Sequence, residues 1–445
     1  MTGSATPRAL SPAWVVVVTV LSTAPVLKLG DVQLVEAVQC IWIAIYIASL
    51  STSRLTPPTD RLWRDLRLQY GIFLVLSTAI SILSLRLSFY PPPNISLLKQ
   101  PGFVSLSRLF ELGLAIWFML VLAASMARRQ TLLRLALSAY CAAGLVSAIA
   151  SIVSFGLEAT LGWHLYPVYG RDHRVRGFLN EGGPYGLFLI SVILAALLRA
   201  RYFPPRNRIA HRLAVLTLIV ALGLSGSKAG ILAAAALCLL GVIVSTTARQ
   251  RFVLAALLVL TTASFVLLFR ARFVSYVYTF SNFQMQVYMR QSDPNLVMGR
   301  IVAVFIVPRM ILAHPLLGIG LGNYSLMRND PDYLRGLPPA DQWDLPGLGL
   351  IGVAAEMGVP LTIYFFLILL KPMRYAKLAK APAVLRVAAA FQPAAVLLGV
   401  NLNFFYPWLF SAFALSFIFY EAGEFRVSSY QLTAHTESPD SGRLS

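Results

Sequence analysis

The sequence predicts an all-α polytopic membrane protein, and three observations predict it. The chain has 445 residues, 58% of them apolar and only 12% charged, about half the charge of a soluble domain of that size. The charges cluster between long uncharged runs, of which 68–85, 252–269 and the double-length 387–420 show the pattern. Runs near 20 residues match a hydrocarbon core of roughly 30 Å, and a soluble core does not place so many of them in succession. Finally, arginine and lysine fall mostly in alternate connections between these runs.

Twelve candidate spans follow in order, near 12–28, 32–50, 68–88, 108–126, 132–155, 184–198, 209–226, 229–247, 252–270, 348–370, 384–401 and 404–421. The sixth is short and the seventh and eighth nearly touch, so the count lies between ten and thirteen. Arg8 ahead of the first run imitates a signal peptide, but Lys28 and Asp31 follow it without a small-residue cleavage site, and it reads as a membrane helix. Cys40, Cys141 and Cys238 sit in apolar runs with no disulfide or zinc spacing, so buried free thiols and no metal are expected. The net charge of +19 fits cytoplasmic anchoring charge plus an anionic ligand, with membrane lipids rather than nucleic acid as partners. Residues 1–426 form one membrane domain, and 427–445 read as a disordered cytoplasmic tail.

With the amino terminus cytoplasmic, the cytoplasmic connections carry Arg54, Arg61, Arg64 and Arg67, then Arg128, Arg129 and Arg134, then five arginines from Arg199 to Arg212. Arg249 and Arg251 follow, and the last such connection holds Lys371, Arg374, Lys377, Lys380 and Arg386. This positive-inside pattern places both termini in the cytoplasm. Two outer connections break it. The fifth, 156–183, holds Arg171, Arg174 and Arg176, and the ninth, 271–347, holds Arg272, Arg290, Arg300, Arg309, Arg328 and Arg335. Either long loops escape the rule, or these cations serve a ligand.

The ninth loop has structure of its own. Phe273, Tyr276, Phe280 and Phe283 recur at helical spacing, which predicts an amphipathic helix at the interface. Residues 300–313 read as a second helix kinked by Pro308 and ended by His314-Pro315. Gly318, Gly320 and Gly322 make a tight turn, and Pro331, Pro338, Pro339 and Pro346 mark the rest as loop.

Four constellations have chemical potential. Arg171, Arg174 and Arg176 precede Gly182-Gly183-Pro184 at the start of the sixth span. Guanidinium forks beside a helix amino terminus suit a phosphate or diphosphate, and the alternative is an anchor on lipid headgroups. Lys228, in Ser225-Gly226-Ser227-Lys228-Ala229-Gly230, sits between the seventh and eighth spans, where a tight hairpin with a snorkelling lysine explains it equally. The stretch His314 to Tyr324 imitates a phosphate loop but follows no strand and lacks the lysine and hydroxyl, so that reading fails. Its glycines shape an outer loop over a cavity. Last come Asp341, Asp344 and Glu356. An outer carboxylate is placed to act as general base toward a hydroxyl, and Glu356 in apolar sequence is a functional candidate, whereas loop acids otherwise pair with nearby arginines.

In order and placement these segments resemble the O-antigen ligase and polymerase superfamily. The resemblance covers roughly 170–370 and rests on Arg176-Gly177-Phe178-Leu179-Asn180, on Gly226-Ser227-Lys228-Ala229-Gly230, on Arg300 ahead of His314-Pro315-Leu316-Leu317-Gly318-Ile319-Gly320, and on Glu356-Met357-Gly358. It implies a GT-C-like fold in a bacterial inner membrane, with a large periplasmic loop between the ninth and tenth spans. It also implies metal-independent inverting transfer from an undecaprenyl-diphosphate-linked glycan to a glycan or lipid acceptor, without a cofactor. Arg171, Arg174, Arg176, Lys228 and Arg300 would hold the donor diphosphate. Two departures stand out. Lys228 occupies a place where relatives carry arginine, and a His-Asn pair expected about nine residues before Glu356 is replaced by Gly347-Leu348. Asp344, Asp341 or His314 would then supply the base. The missing histidine argues against a standard lipid A–core ligase and leaves a repeat-unit polymerase open. A transporter or flippase is the competing reading, but polar residues gather in outer loops rather than at midplane.

Overall fold

A computed structural model describes residues 11–25, 27–29, 32–41, 61–93, 95–169, 173–245, 247–289, 298–400 and 402–422. Arg171, Arg290 and the tail beyond 427 lie outside the described residues, as does the 42–50 half of the expected second span. The fold is helical apart from two short hairpins. Its helices are α1 (Pro12–Leu21), α2 (34–41), α3 (Arg61–Ser84), α4 (Phe103–Arg128), α5 (Gln130–Leu161), α6 (Gly182–Tyr202), α7 (Arg208–Ser225), α8 (Lys228–Val244) and α9 (Ala248–Ser281). There follow α10 (Phe283–Met289), α11 (Arg300–Ala313), α12 (Tyr324–Met327), α13 (Pro331–Leu334), α14 (Leu350–Met357), α15 (Val359–Leu378), α16 (Ala383–Ala389), α17 (Phe391–Leu397) and α18 (Phe405–Glu421).

Among the described residues, seven helices are long and apolar enough to cross a bilayer: α3 to α7, the Ala248–Leu267 part of α9, and α15. Shorter apolar helices are Pro12–Leu21, Lys228–Val244 and Ala383–Leu397. The chain is a multi-pass membrane protein. Local sequence sets many of the boundaries. Asn207 accepts the amides of Ile209 and Ala210 to open α7, Ser227 accepts Gly230 to open α8, and Thr247 accepts Gln250 to open α9. Gly226, in the left-handed region at φ +54°, ends α7 two residues before α8 begins.

The bundle is centred on α4, α6 and α18. Every residue from Phe405 to Phe419 is buried. Phe118 meets Phe405 at 5.2 Å, and Tyr140 on α5 meets Phe188 and Phe413 at 5.8 and 5.5 Å, edge-on arrangements that ring quadrupoles favour. Leu213, Leu216, Ile219 and Val220 on α7 and Phe252, Val259, Leu260 and Leu267 on α9 are exposed, as lipid-facing surfaces should be.

Two expectations are corrected. The aromatic repeat 273–280 is no separate interfacial helix, because α9 runs unbroken through it to Ser281, and Phe283 opens α10. No proline or glycine occurs between Ala248 and Ser281 to stop the helix. The tenth and eleventh spans are each interrupted, at Gly358 and at Ala390. Between α9 and α14, the long connection folds into a compact cap with its own core. Phe283 stacks on Phe305 at 4.0 Å, and Val302, Ile306, Met310, Ile319, Tyr324 and Tyr333 are buried with them.

Candidate active site

Arg300 is the first residue of α11, and its placement is determined by a buried acid. Gly299 stands at the helix cap with φ +75°, a conformation natural to glycine. Its N–H donates to Asp344 Oδ1 at 2.8 Å, which also takes the Leu345 amide at 2.8 Å. Arg328 Nε lies 3.2 Å from Asp344 Oδ2, and these side chains are 0% and 4% exposed. The Asp344 amide in turn donates to Ser325 Oγ at 2.9 Å. Burial pushes the Asp344 carboxyl above its usual range, opposed by the Arg328 charge and the two amides. Asp344 is therefore an internal anchor for the cap, facing Arg328 and main-chain donors.

The Arg300 side chain runs past Gly347, where an added Cβ would lie 2.9 Å from its Cγ and 3.0 Å from its Nε, and its Nη2 reaches 3.7 Å from the Cβ position of Gly183. Gly183 belongs to the first turn of α6. That turn is locked to the α7–α8 hairpin: Ser227 Oγ donates to the Gly183 carbonyl at 2.9 Å, and a Cβ on Gly182 would lie 2.9 Å from the Ser225 carbonyl. Gly186 and Gly230 face each other at backbone contact, so small residues let α6 and α8 meet. Arg174 arrives from a third direction. It sits in a two-residue strand (Arg174–Val175) paired with Val168–Tyr169, and its Cδ lies 2.9 Å from the Cβ position of Gly226. Lys228 stands two residues on, at the start of α8, its Nζ 5.4 Å from the Phe269 ring. Arg174 and Arg300 are thus brought from separate segments to the amino end of α6, while Lys228 opens the neighbouring α8 with its ammonium toward α9.

Arg176 is placed differently. Its Nε donates to the Tyr166 carbonyl at 2.8 Å, its Nη1 to the Asn180 carbonyl at 3.4 Å, and its guanidinium stacks 4.1 Å from the Tyr166 ring. It clasps the loop that carries Arg174. Asp341 is exposed. His314 Nε2 is 2.9 Å from Tyr333 Oη inside the cap, and burial raises the Tyr333 phenol to about 12.

The glycine-rich stretch and the Glu356-Met357-Gly358 segment are two halves of one interlock. Ile319 and Gly320 amides donate to the Ala355 and Glu356 carbonyls at 2.9 and 2.8 Å, and Val359 donates to Pro315 at 2.9 Å. The Glu356 carboxyl faces the main-chain amides of Gly322 and Tyr324. Gly318 (φ +63°) would place a Cβ 2.5 Å from the Glu356 carbonyl, so only glycine fits. Asn323, fully buried, ties the turn to α3 and α4 through Ser84 at 3.2 Å and Ser105 at 3.1 Å.

Beside this interlock opens a pocket lined by Arg108, Glu111, Glu356 and Asn403 with the backbones of Gly347 and Gly349. Arg108 Nη1 pairs with Glu111 Oε2 at 2.7 Å. Arg108 is a residue that sequence reasoning missed as a site member. A signal existed: two charges three apart inside an otherwise apolar helix are costly unless used. Among the described residues, no group of three or more His, Cys, Asp or Glu is arranged to hold a metal ion.

Fold and site together define a multi-pass membrane protein with a folded cap over one end of its bundle and a cationic cluster beneath it. Residues 213–366 match the family model of the O-antigen ligases (Wzy_C), so the segment from α7 into α15 carries an O-antigen ligase domain. Lys228, Arg300, His314, Asp344 and Glu356 lie inside the match, whereas Arg174 and Arg176 precede it. No curated protein and no solved structure matches the chain.

Proposed function

We propose that this protein is a membrane glycosyltransferase of the ligase or polymerase type. It transfers or polymerises a glycan carried on undecaprenyl diphosphate, at the periplasmic face of a bacterial inner membrane, in surface-polysaccharide assembly. The fold is of the GT-C-like kind, with about twelve spans and both termini in the cytoplasm. One observation carries the reading: the Arg300 guanidinium sits at Gly183 in the first turn of α6, with Arg174 on Gly226 across the Ser227–Gly183 bond. A helix amino terminus flanked by guanidinium groups matches the charge and oxygen geometry of a diphosphate.

The chemistry is then electrostatic. As the bond from anomeric carbon to diphosphate oxygen breaks, negative charge grows on the leaving group, and preorganised cations stabilise it more than they stabilise the ground state. Lys228 contributes charge without the bidentate fork of arginine. Arg176 acts by shaping the loop that holds Arg174. The test is deletion of the gene followed by complementation, with surface glycans resolved on gels. Wild-type sequence restores long chains and Arg300→Ala does not, although it reaches the membrane in equal amount. Full restoration by Arg300→Ala would remove the diphosphate site.

A further inference from the structure

We infer that the pocket between α4 and the broken tenth span binds the acceptor sugar, and that Glu111 accepts the proton of its attacking hydroxyl. This rests on the glycosyl-transfer reading above and assigns it a base.

Three features of the pocket carry the inference. The first is charge. Arg108 is already neutralised by Glu111 at 2.7 Å, and Glu356 adds a second carboxylate on the same wall. The formal balance is negative, so the pocket disfavours a diphosphate and fits a neutral ligand. The second is hydrogen-bonding capacity. Two carboxylates, a guanidinium and the Asn403 amide offer acceptors and donors together, the set that a polyol with adjacent hydroxyls satisfies. Walls of glycine backbone at Gly347 and Gly349 let a pyranose ring approach closely. The third is position. Gly347 lines this pocket, and its Cβ position is filled by the Arg300 side chain. This pocket and the cationic cluster therefore share one wall.

Of the two carboxylates, Glu356 faces the Gly322 and Tyr324 amides. Glu111 has Oε2 on Arg108, while its Oε1 takes only a long 3.4 Å bond from Ser107. The side chains of Arg108 and Glu111 remain 24% and 20% exposed, so an incoming hydroxyl can reach them. In the step, the acceptor O–H bond breaks and its proton passes to Glu111. The oxygen pair forms the new bond to the anomeric carbon, and the bond from that carbon to the diphosphate oxygen breaks. Its electron pair leaves on the diphosphate, where Arg300 meets the charge, and Glu111 then returns its proton to water.

Glu111→Gln in the full-length chain tests this with two readouts. Long-chain surface glycan should fall at least about a hundredfold, the usual scale for loss of a positioned base. Purified protein in detergent should bind undecaprenyl diphosphate within about twofold of wild type, because uniform binding is untouched. Undiminished glycan overturns the assignment, and so does a parallel loss of undecaprenyl diphosphate binding, which would mark Glu111 as merely structural. Should Glu111→Gln not accumulate, Glu111→Asp carries the test, since it keeps the charge but withdraws it by one methylene; a wild-type product level in that variant overturns the inference. Failure of the wild-type chain itself to bind undecaprenyl diphosphate would refute the donor site instead.

Discussion

The carboxylate of Asp344 holds the amide of Gly299 at 2.8 Å, one residue before Arg300. An acid far along the chain thereby sets the first turn of α11 and the direction in which Arg300 leaves it. Asp344→Ala strands the fully buried Arg328 and frees the cap. Removing one partner of a buried pair costs on the order of 3–5 kcal/mol. The expected result is a large drop in melting temperature in detergent together with loss of long-chain glycan. An unchanged melting temperature would mean that water reaches Arg328.

Arg300→Ala abolishes product, and Arg300→Lys restores a minor fraction, since lysine keeps the charge without the fork. Equal activity of arginine and lysine here would show that point charge alone suffices. Arg176→Ala should also remove product, through disorder of the loop tied to Tyr166 and Asn180. Protease sensitivity of the 163–180 loop in that variant, with Arg174 unaltered, checks the route.

Gly318→Ala forces a Cβ to 2.5 Å from the Glu356 carbonyl in a left-handed conformation. A loss of stability above about 1 kcal/mol follows. Gly223→Ala is the matched control: it lies within α7 with nothing inside 4 Å of its Cβ position, and alanine favours helix there by about 1 kcal/mol. The two melting temperatures should move in opposite directions.

Sidedness has a direct readout. In a variant lacking Cys40, Cys141 and Cys238, a cysteine at the exposed Pro339 should react with an impermeant reagent on intact spheroplasts. A cysteine at the exposed Arg206 should react only after lysis. The reverse pattern would invert the topology.

Much of this architecture was legible in the sequence because a bilayer demands long apolar segments, and 61–84, 103–128 and 182–202 supply them with charges at their ends. The hairpin at Gly226 and the arginines of 156–183 and 271–347 were equally visible, since both violate the local pattern. Hydropathy could not show that α9 continues past its apolar part, Ala248–Leu267, to Ser281. An apolar-to-aromatic change in composition does not end a helix unless a breaker accompanies it. Nor could it show the split at Gly358, because the carbonyls and amides released there are satisfied by a segment some forty residues earlier. Long-range backbone pairing leaves no periodic trace. Asp344 read as a candidate base or an ordinary loop acid for the same reason: its partners Gly299, Ser325 and Arg328 are distant in sequence.

The interlock between Pro315–Gly322 and the 355–359 break also bears on biogenesis. A translocon scanning 348–370 meets one greasy segment and releases it sideways as such, yet the severed ladder at Gly358 would then face hydrocarbon at several kcal/mol per naked amide or carbonyl. The docking strip is synthesised first, so it is already waiting when the split helix emerges. Variants that loosen this strip should therefore be recognised by membrane quality control as half-inserted chains, before any question of catalysis arises.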